Sequence, residues 1–159
     1  MSYQAVRILI EDTLKSIDDN VLFAHARDSD FNQIGIKTDK RVQLTPMQPL
    51  LQPATGDENS TKTYTISMVF YKLDDLQGAE EATTGILDEM DILSDKFINK
   101  LNLFTLEYES TEINSGNTEI VNMQPKRPVI KVTSDCVTGF VVSFGLVVPD
   151  TFDYCSLYD

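Results

Sequence analysis

Three groups of residues in this chain have types and spacings that could do chemistry. His25 is the only histidine, so any histidine-based triad has to be assembled around it, with Cys136 as the thiol nucleophile it would activate. No Gly-x-Ser-x-Gly elbow accompanies them, and Cys136 falls in an expected hairpin turn with no sign of thiolate activation, so an inert thiol and a structural histidine are the expectation. Asp28-Ser29-Asp30-Phe31-Asn32 copies the opening of a calcium loop, in which alternate oxygen-bearing side chains converge on a hard cation. The remainder of that loop fails: Gln33 stands where the turn glycine belongs, Gly35 comes two places late, and the closing position holds Asp39 instead of glutamate. A solvated loop is expected there, and no metal.

The third group is acidic. Asp88, Asp91 and Asp95, with Glu89 beside them, share a helix face at three- and four-residue spacing. Paired acid-base work needs carboxylates in a cleft with divergent environments, whereas a charge run opposite an apolar stripe is a solvated face, available for docking a partner. No Gly-x-Gly-x-x-Gly follows a strand and no Gly-Lys-Ser/Thr closes a phosphate loop, so dinucleotide and triphosphate sites lack their backbone cradle. Taken together, these residues predict a non-enzymatic protein with no cofactor. Lys37, Lys40 and Arg41 form the densest basic cluster and Lys126-Arg127 a smaller one; in so acidic a chain both are expected to pair with acidic surface on another copy of the chain.

The charge itself narrows the partners. The net charge is −12 over 159 residues, with 6 Lys+Arg against 7 Asp+Glu in residues 1–53 and 7 against 18 in residues 54–159. Such a surface repels phosphate backbones and anionic headgroups, so sequence-specific nucleic-acid binding and membrane binding are not expected, and a partner with a basic face is. The first residues lack the basic start and apolar run of a secretory signal, and the longest apolar stretch, Phe140 to Val148, falls far short of the roughly 20 residues that span a bilayer. The chain is therefore expected to work where it is made. Cys136 and Cys155 are the only cysteines, too few for a disulfide scaffold, and read as free thiols in a reducing compartment. Asn59-Ser60-Thr61 matches a glycosylation acceptor but, without a secretory signal, marks only a polar loop.

The elements that must position these residues follow from periodicity. Val6, Leu9, Ile10, Thr13, Leu14 and Ile17 recur at helical spacing, predicting an amphipathic helix over 2–18 that Asp18-Asp19-Asn20 ends. Residues 21–31 suggest a strand and then a loop. Arg41 to Thr45 alternates before Pro46, Pro49 and Pro53, which points to an edge strand or extended arm spanning about 41–62. Tyr64, Ile66, Met68 and Phe70 alternate with Thr65, Ser67, Val69 and Tyr71, the clearest strand in the chain, with its first set on the core. A turn with an acidic cap at Asp74 or Asp75 leads into a long helix, Ala79 to Leu101, whose stripe is Ala79, Ala82, Ile86, Met90, Leu93, Phe97 and Leu101.

Phe104 to Glu109 alternates and predicts a strand that turns at Asn114-Ser115-Gly116-Asn117 into Glu119 to Met123. Val129 to Thr133 and Val137 to Val148 predict a second hairpin, and 150–159 form an acidic, aromatic tail. One helix between sheet segments, with no repeating crossover, predicts a single α+β domain: a mainly antiparallel sheet, an N-terminal helix and one long helix packed on the sheet.

This order of elements resembles that of the tail terminator and neck proteins of tailed bacteriophages, small acidic subunits of the head-tail junction. The resemblance covers nearly the whole chain: the helix at 2–18, the protruding segment from Arg41 to Thr61, the strand from Tyr64 to Tyr71, the long helix and the closing hairpins. It implies a virion structural protein, assembled in the host cytoplasm into a homo-oligomeric ring, a hexamer or dodecamer, between head connector and tail. It also implies neighbouring connector, portal-side and tail-tube proteins as partners. Candidate inter-subunit contacts are then Lys37, Lys40, Arg41, Pro46 and Pro49, together with Phe152, Tyr154 and Tyr158 of the tail. The rival reading is a cytosolic adaptor that binds another protein through the acidic helix face, and a weaker one is a small hydrolase using Cys136 or His25.

Overall fold

A computed structural model describes residues 2–26, 31–53, 60–111 and 118–149, with side chains through residue 104 of the long helix. Helix α1 (Tyr3–Ile17) starts where Ser2 accepts the Ala5 N–H at its hydroxyl (3.2 Å), which satisfies one of the free amides of the first turn. It ends where Asp18 turns extended and takes the Asn20 N–H on its carboxylate. The chain then forms β1 (Leu22–His25), β2 (Arg41–Leu44), β3 (Gln48–Gln52) and β4 (Thr61–Leu73). Helix α2 (Glu80–Thr111), β5 (Glu119–Val121), β6 (Arg127–Val132) and β7 (Val137–Pro149) complete it.

The fold is α+β. Seven strands make one sheet with the path β1-β2-β4-β7-β5, in which β3 also pairs with β4 and β6 with β7. All pairings are antiparallel except β1 with β2, which run parallel. The centre of the sheet is the long antiparallel pair β4–β7, in register from Thr61 opposite Pro149 to Leu73 opposite Val137. Each of these strands is flanked on its other edge by two short ones.

Strand alternation assigns the two faces. Val42, Leu44, Tyr64, Ile66, Met68 and Phe70 face Val142, Phe144, Leu146 and Val148 on one side, all essentially buried. Val6, Ile10 and Leu14 of α1 and Met90, Leu93, Phe97 and Leu101 of α2 complete that core. The predicted stripes of both helices and of β4 are therefore the core, except that Ala79 and Ala82 are exposed and Thr83 is buried in their place. Beneath the start of α2, Asp74 accepts from Thr83 Oγ1 (2.8 Å), Thr138 Oγ1 (3.0 Å) and the Asp75 N–H (2.8 Å). This one carboxylate ties the end of β4 to the first turn of α2 and the start of β7.

Two expectations are corrected. The strand predicted at Phe104 to Glu109 is the last part of α2. A nucleated helix extends at the cost of one residue at a time, and Lys100 lies 5.6 Å from the Phe104 ring centre on the same helical surface. Arg41 to Leu44, predicted as an edge strand or arm, is an interior strand between β1 and β4, and the edge position falls instead to β3, Gln48–Gln52, which pairs only with β4.

Candidate interaction surface

The helices cover one face of the sheet; the other face carries the second, smaller cluster of Phe31, Tyr71 and Val137. Phe31 begins a short 3₁₀ turn, Phe31–Gln33, that packs its ring edge-on against Tyr71 (6.5 Å between centres). Beside this cluster the face opens into a groove of about 740 Å³, with a floor of Val69, Val129 and Val141 and polar groups from Gln43, Tyr71, Arg127 and Asp135. They come from four strands, β2, β4, β6 and β7, and from the β6–β7 turn, and the register explains their meeting. Gln43 lies opposite Val69 on β4, which lies opposite Val141 on β7, which lies opposite Arg127 on β6.

The polar rim is ordered by a short relay. Tyr71 donates its hydroxyl to Asn32 Oδ1, and Asn32 Nδ2 donates to Asp135 Oδ2 (2.9 Å). Burial pushes the Tyr71 phenol up to about 12; the Arg41 charge opposes that rise and Asp135 adds to it. Tyr71 therefore stays a protonated donor throughout the physiological range. Arg127 is exposed and, among the described residues, has no ion-pair partner.

The predicted inter-subunit residues divide. Lys37 pairs with Asp75 and Lys40 with Asp18 (3.0 Å) inside the chain. Arg41 departs from its expected role: it is wholly buried, and its guanidinium donates to the Ile34 carbonyl (2.8 Å) and the Ile36 carbonyl (2.9 Å). It anchors the 34–36 turn to the sheet and offers nothing to a second copy. Pro46 and Pro49 are exposed. Phe152, Tyr154 and Tyr158 lie outside the described residues, as do Asp28, Ser29 and Asp30 of the calcium-like loop; Asn32, the fifth residue of that loop, has its side chain engaged by Tyr71 and Asp135.

The acidic helix face is partly occupied. Lys126 reaches back from the β5–β6 connection to Asp91, to Asp95 (2.7 Å) and to Ser94 Oγ (3.2 Å), with its ammonium 5.7 Å from the Phe140 ring centre. Burial by itself would lower the Lys126 pKa, but Asp91 and Asp95 outweigh it and hold the ammonium above the ordinary lysine value. Glu89 pairs with Lys72 (2.6 Å). Asp88 remains exposed.

His25 sits under α1, far along the sheet from Cys136. Tyr3 hydroxyl and His25 Nε2 are 2.8 Å apart, and the Met47 N–H donates to the same hydroxyl (3.0 Å). Burial, with Arg7 adding to it, holds His25 below the ordinary histidine value and favours the neutral ring. This histidine pins α1 to β1 and to the segment before β3. Cys136 closes the β6–β7 turn at φ 58°, its carbonyl accepting the Asp74 N–H (2.8 Å). Among the described residues no three His, Cys, Asp or Glu side chains converge as a metal site, and no helix is long and apolar enough to cross a membrane. The groove had no single-segment signature, since its floor is built from valines that alternate with core residues in separate strands. No known protein-family model matches this chain, and no curated protein is detectably similar to it.

Proposed function

We propose that this chain is a non-enzymatic virion structural protein that closes into a homo-oligomeric ring at the head-tail junction of a tailed phage, in the neck or as a tail terminator. The observation that carries the reading is β3. All five of its residues are exposed, Leu50 at 62% and Leu51 at 51%, although the strand is hydrogen-bonded to β4. An apolar strand standing at a sheet edge is a template for pairing with another chain. Pro49 within it fits an edge, where its missing N–H costs no ladder bond. A neighbouring copy would cover Leu50 and Leu51 and repeat the contact around a closed ring.

The test is to sediment intact particles and quantify the chain by mass spectrometry against a major component. A fixed copy number of about six or twelve, as closed cyclic symmetry gives, supports the ring. Leu50→Lys with Leu51→Lys should leave the fold intact and remove the chain from particles.

The rival, an adaptor for a basic partner, is favoured by the exposed Glu80, Glu81 and Asp88 on α2. Absence from particles, with the chain bound to another protein in the soluble fraction, would establish that reading and end the ring.

A further inference from the structure

The groove on the open sheet face has a shape and a charge that the rest of the described chain leaves without a partner. Its floor of Val69, Val129 and Val141 is apolar and only half-buried. Of its two charged groups, Asp135 is held by Asn32, while Arg127 has no ion pair among the described residues. The segment that follows β7 has the complementary composition: Asp150 and Asp153 interleave with Phe152, Tyr154, Leu157 and Tyr158.

We propose that residues 150–158 of one copy lie in this groove of the neighbouring copy, with Phe152 and Tyr154 on the valine floor and Asp153 against Arg127. This rests on the ring reading and names its second contact. Reach keeps Phe152 and Tyr154 out of the groove of their own chain. The described chain leaves the sheet at Pro149, opposite Thr61, at the end of β7 remote from the groove. Val141, the nearest floor residue on that strand, is eight residues back, about 27 Å at a strand's rise. Fully extended, Phe152 gets at most ~11 Å from Pro149 and Tyr154 at most ~18 Å. Neither aromatic can enter the groove of its own subunit, whereas both can enter that of a copy whose groove abuts the Pro149 end.

The two natural cysteines report on this arrangement. Cys136 is next to the groove residues Asp135 and Val137, and Cys155 follows Tyr154. Full-length chain labelled with heavy nitrogen is mixed with unlabelled chain, assembled, and treated with a short bismaleimide. The expected product is a Cys136–Cys155 cross-linked peptide carrying one heavy and one light half. Arg127→Glu should cut its yield about fivefold, the effect of losing one charge contact. Asp153→Lys in the same chain should restore it. A Cys136–Cys155 product that is never mixed in label would overturn the proposal in favour of the chain's own segment. Rings persisting in native mass spectrometry without any such cross-link would overturn it while leaving the ring intact. A chain that stays monomeric throughout would remove both.

Discussion

Asp74 is a carboxylate held away from water by three donors on three elements. Burial alone would raise its pKa; the hydrogen bonds from Thr83, the Asp75 amide and Thr138, with the charge of Lys131, outweigh that and hold it below the ordinary aspartate value. Because the unfolded chain takes up this proton more readily than the folded one, the contribution is complete above the ordinary aspartate range and is lost as pH falls through and below it. The urea midpoint should therefore drop between about pH 5 and about pH 3, and the drop should be shallower in Asp74→Asn. Asp74→Ala leaves two buried hydroxyls without their acceptor and should cost about 2 kcal/mol or more in the same measurement at neutral pH. An unchanged midpoint in that variant would show that the knot is dispensable.

Among the elements, the β4–β7 pair dominates, and Gly139 shows how closely it is built. A Cβ at that position would stand 1.9 Å from the Phe70 carbonyl oxygen and 2.7 Å from the Tyr71 Cα. Both are backbone atoms of the neighbouring strand and cannot yield without opening the ladder. Gly139→Ala should thus lose about 3 kcal/mol or more, read as a fall in thermal midpoint. A variant as stable as the parent would mean that the two strands lie farther apart than described.

Periodicity made α1, β4, the start of α2 and the β6–β7 hairpin legible, because each buries one face and so repeats at its own period. Alternation misled at Phe104 to Glu109, where a helix already under way carried through a strand-like pattern. Arg41 read as a surface cation because nothing in its neighbours announces the two carbonyls, of Ile34 and Ile36, that receive it. The groove was illegible for a related reason: Gln43, Val69, Arg127 and Val141 become neighbours only through the register of four strands.

At the scale of the whole molecule, the main core joins α1, α2 and the sheet, and the smaller cluster on the other face shares β4 and β7 with it, so among the described residues the two clusters are joined through the same strands. Unfolding should be a single cooperative step, with helix content by circular dichroism and tyrosine fluorescence giving the same urea midpoint. Separate midpoints would reveal two independently stable units. The charges are distributed to match. Lys37, Lys40, Lys72 and Lys126 are each paired with a carboxylate within the chain.

The pairing of β4 with β7 also sets the order in which the chain can complete itself. Thr61 must wait for Pro149 and Leu73 for Val137, so the central ladder closes only after α2 and most of the remaining chain exist. Until then Tyr64 to Tyr71, an uncharged run rich in β-branched and aromatic residues, presents an open edge to every other unfinished copy. Refolding from denaturant should therefore be limited by this late closure, and the recovered native fraction should fall steeply as chain concentration rises, a dependence that light scattering during dilution would record.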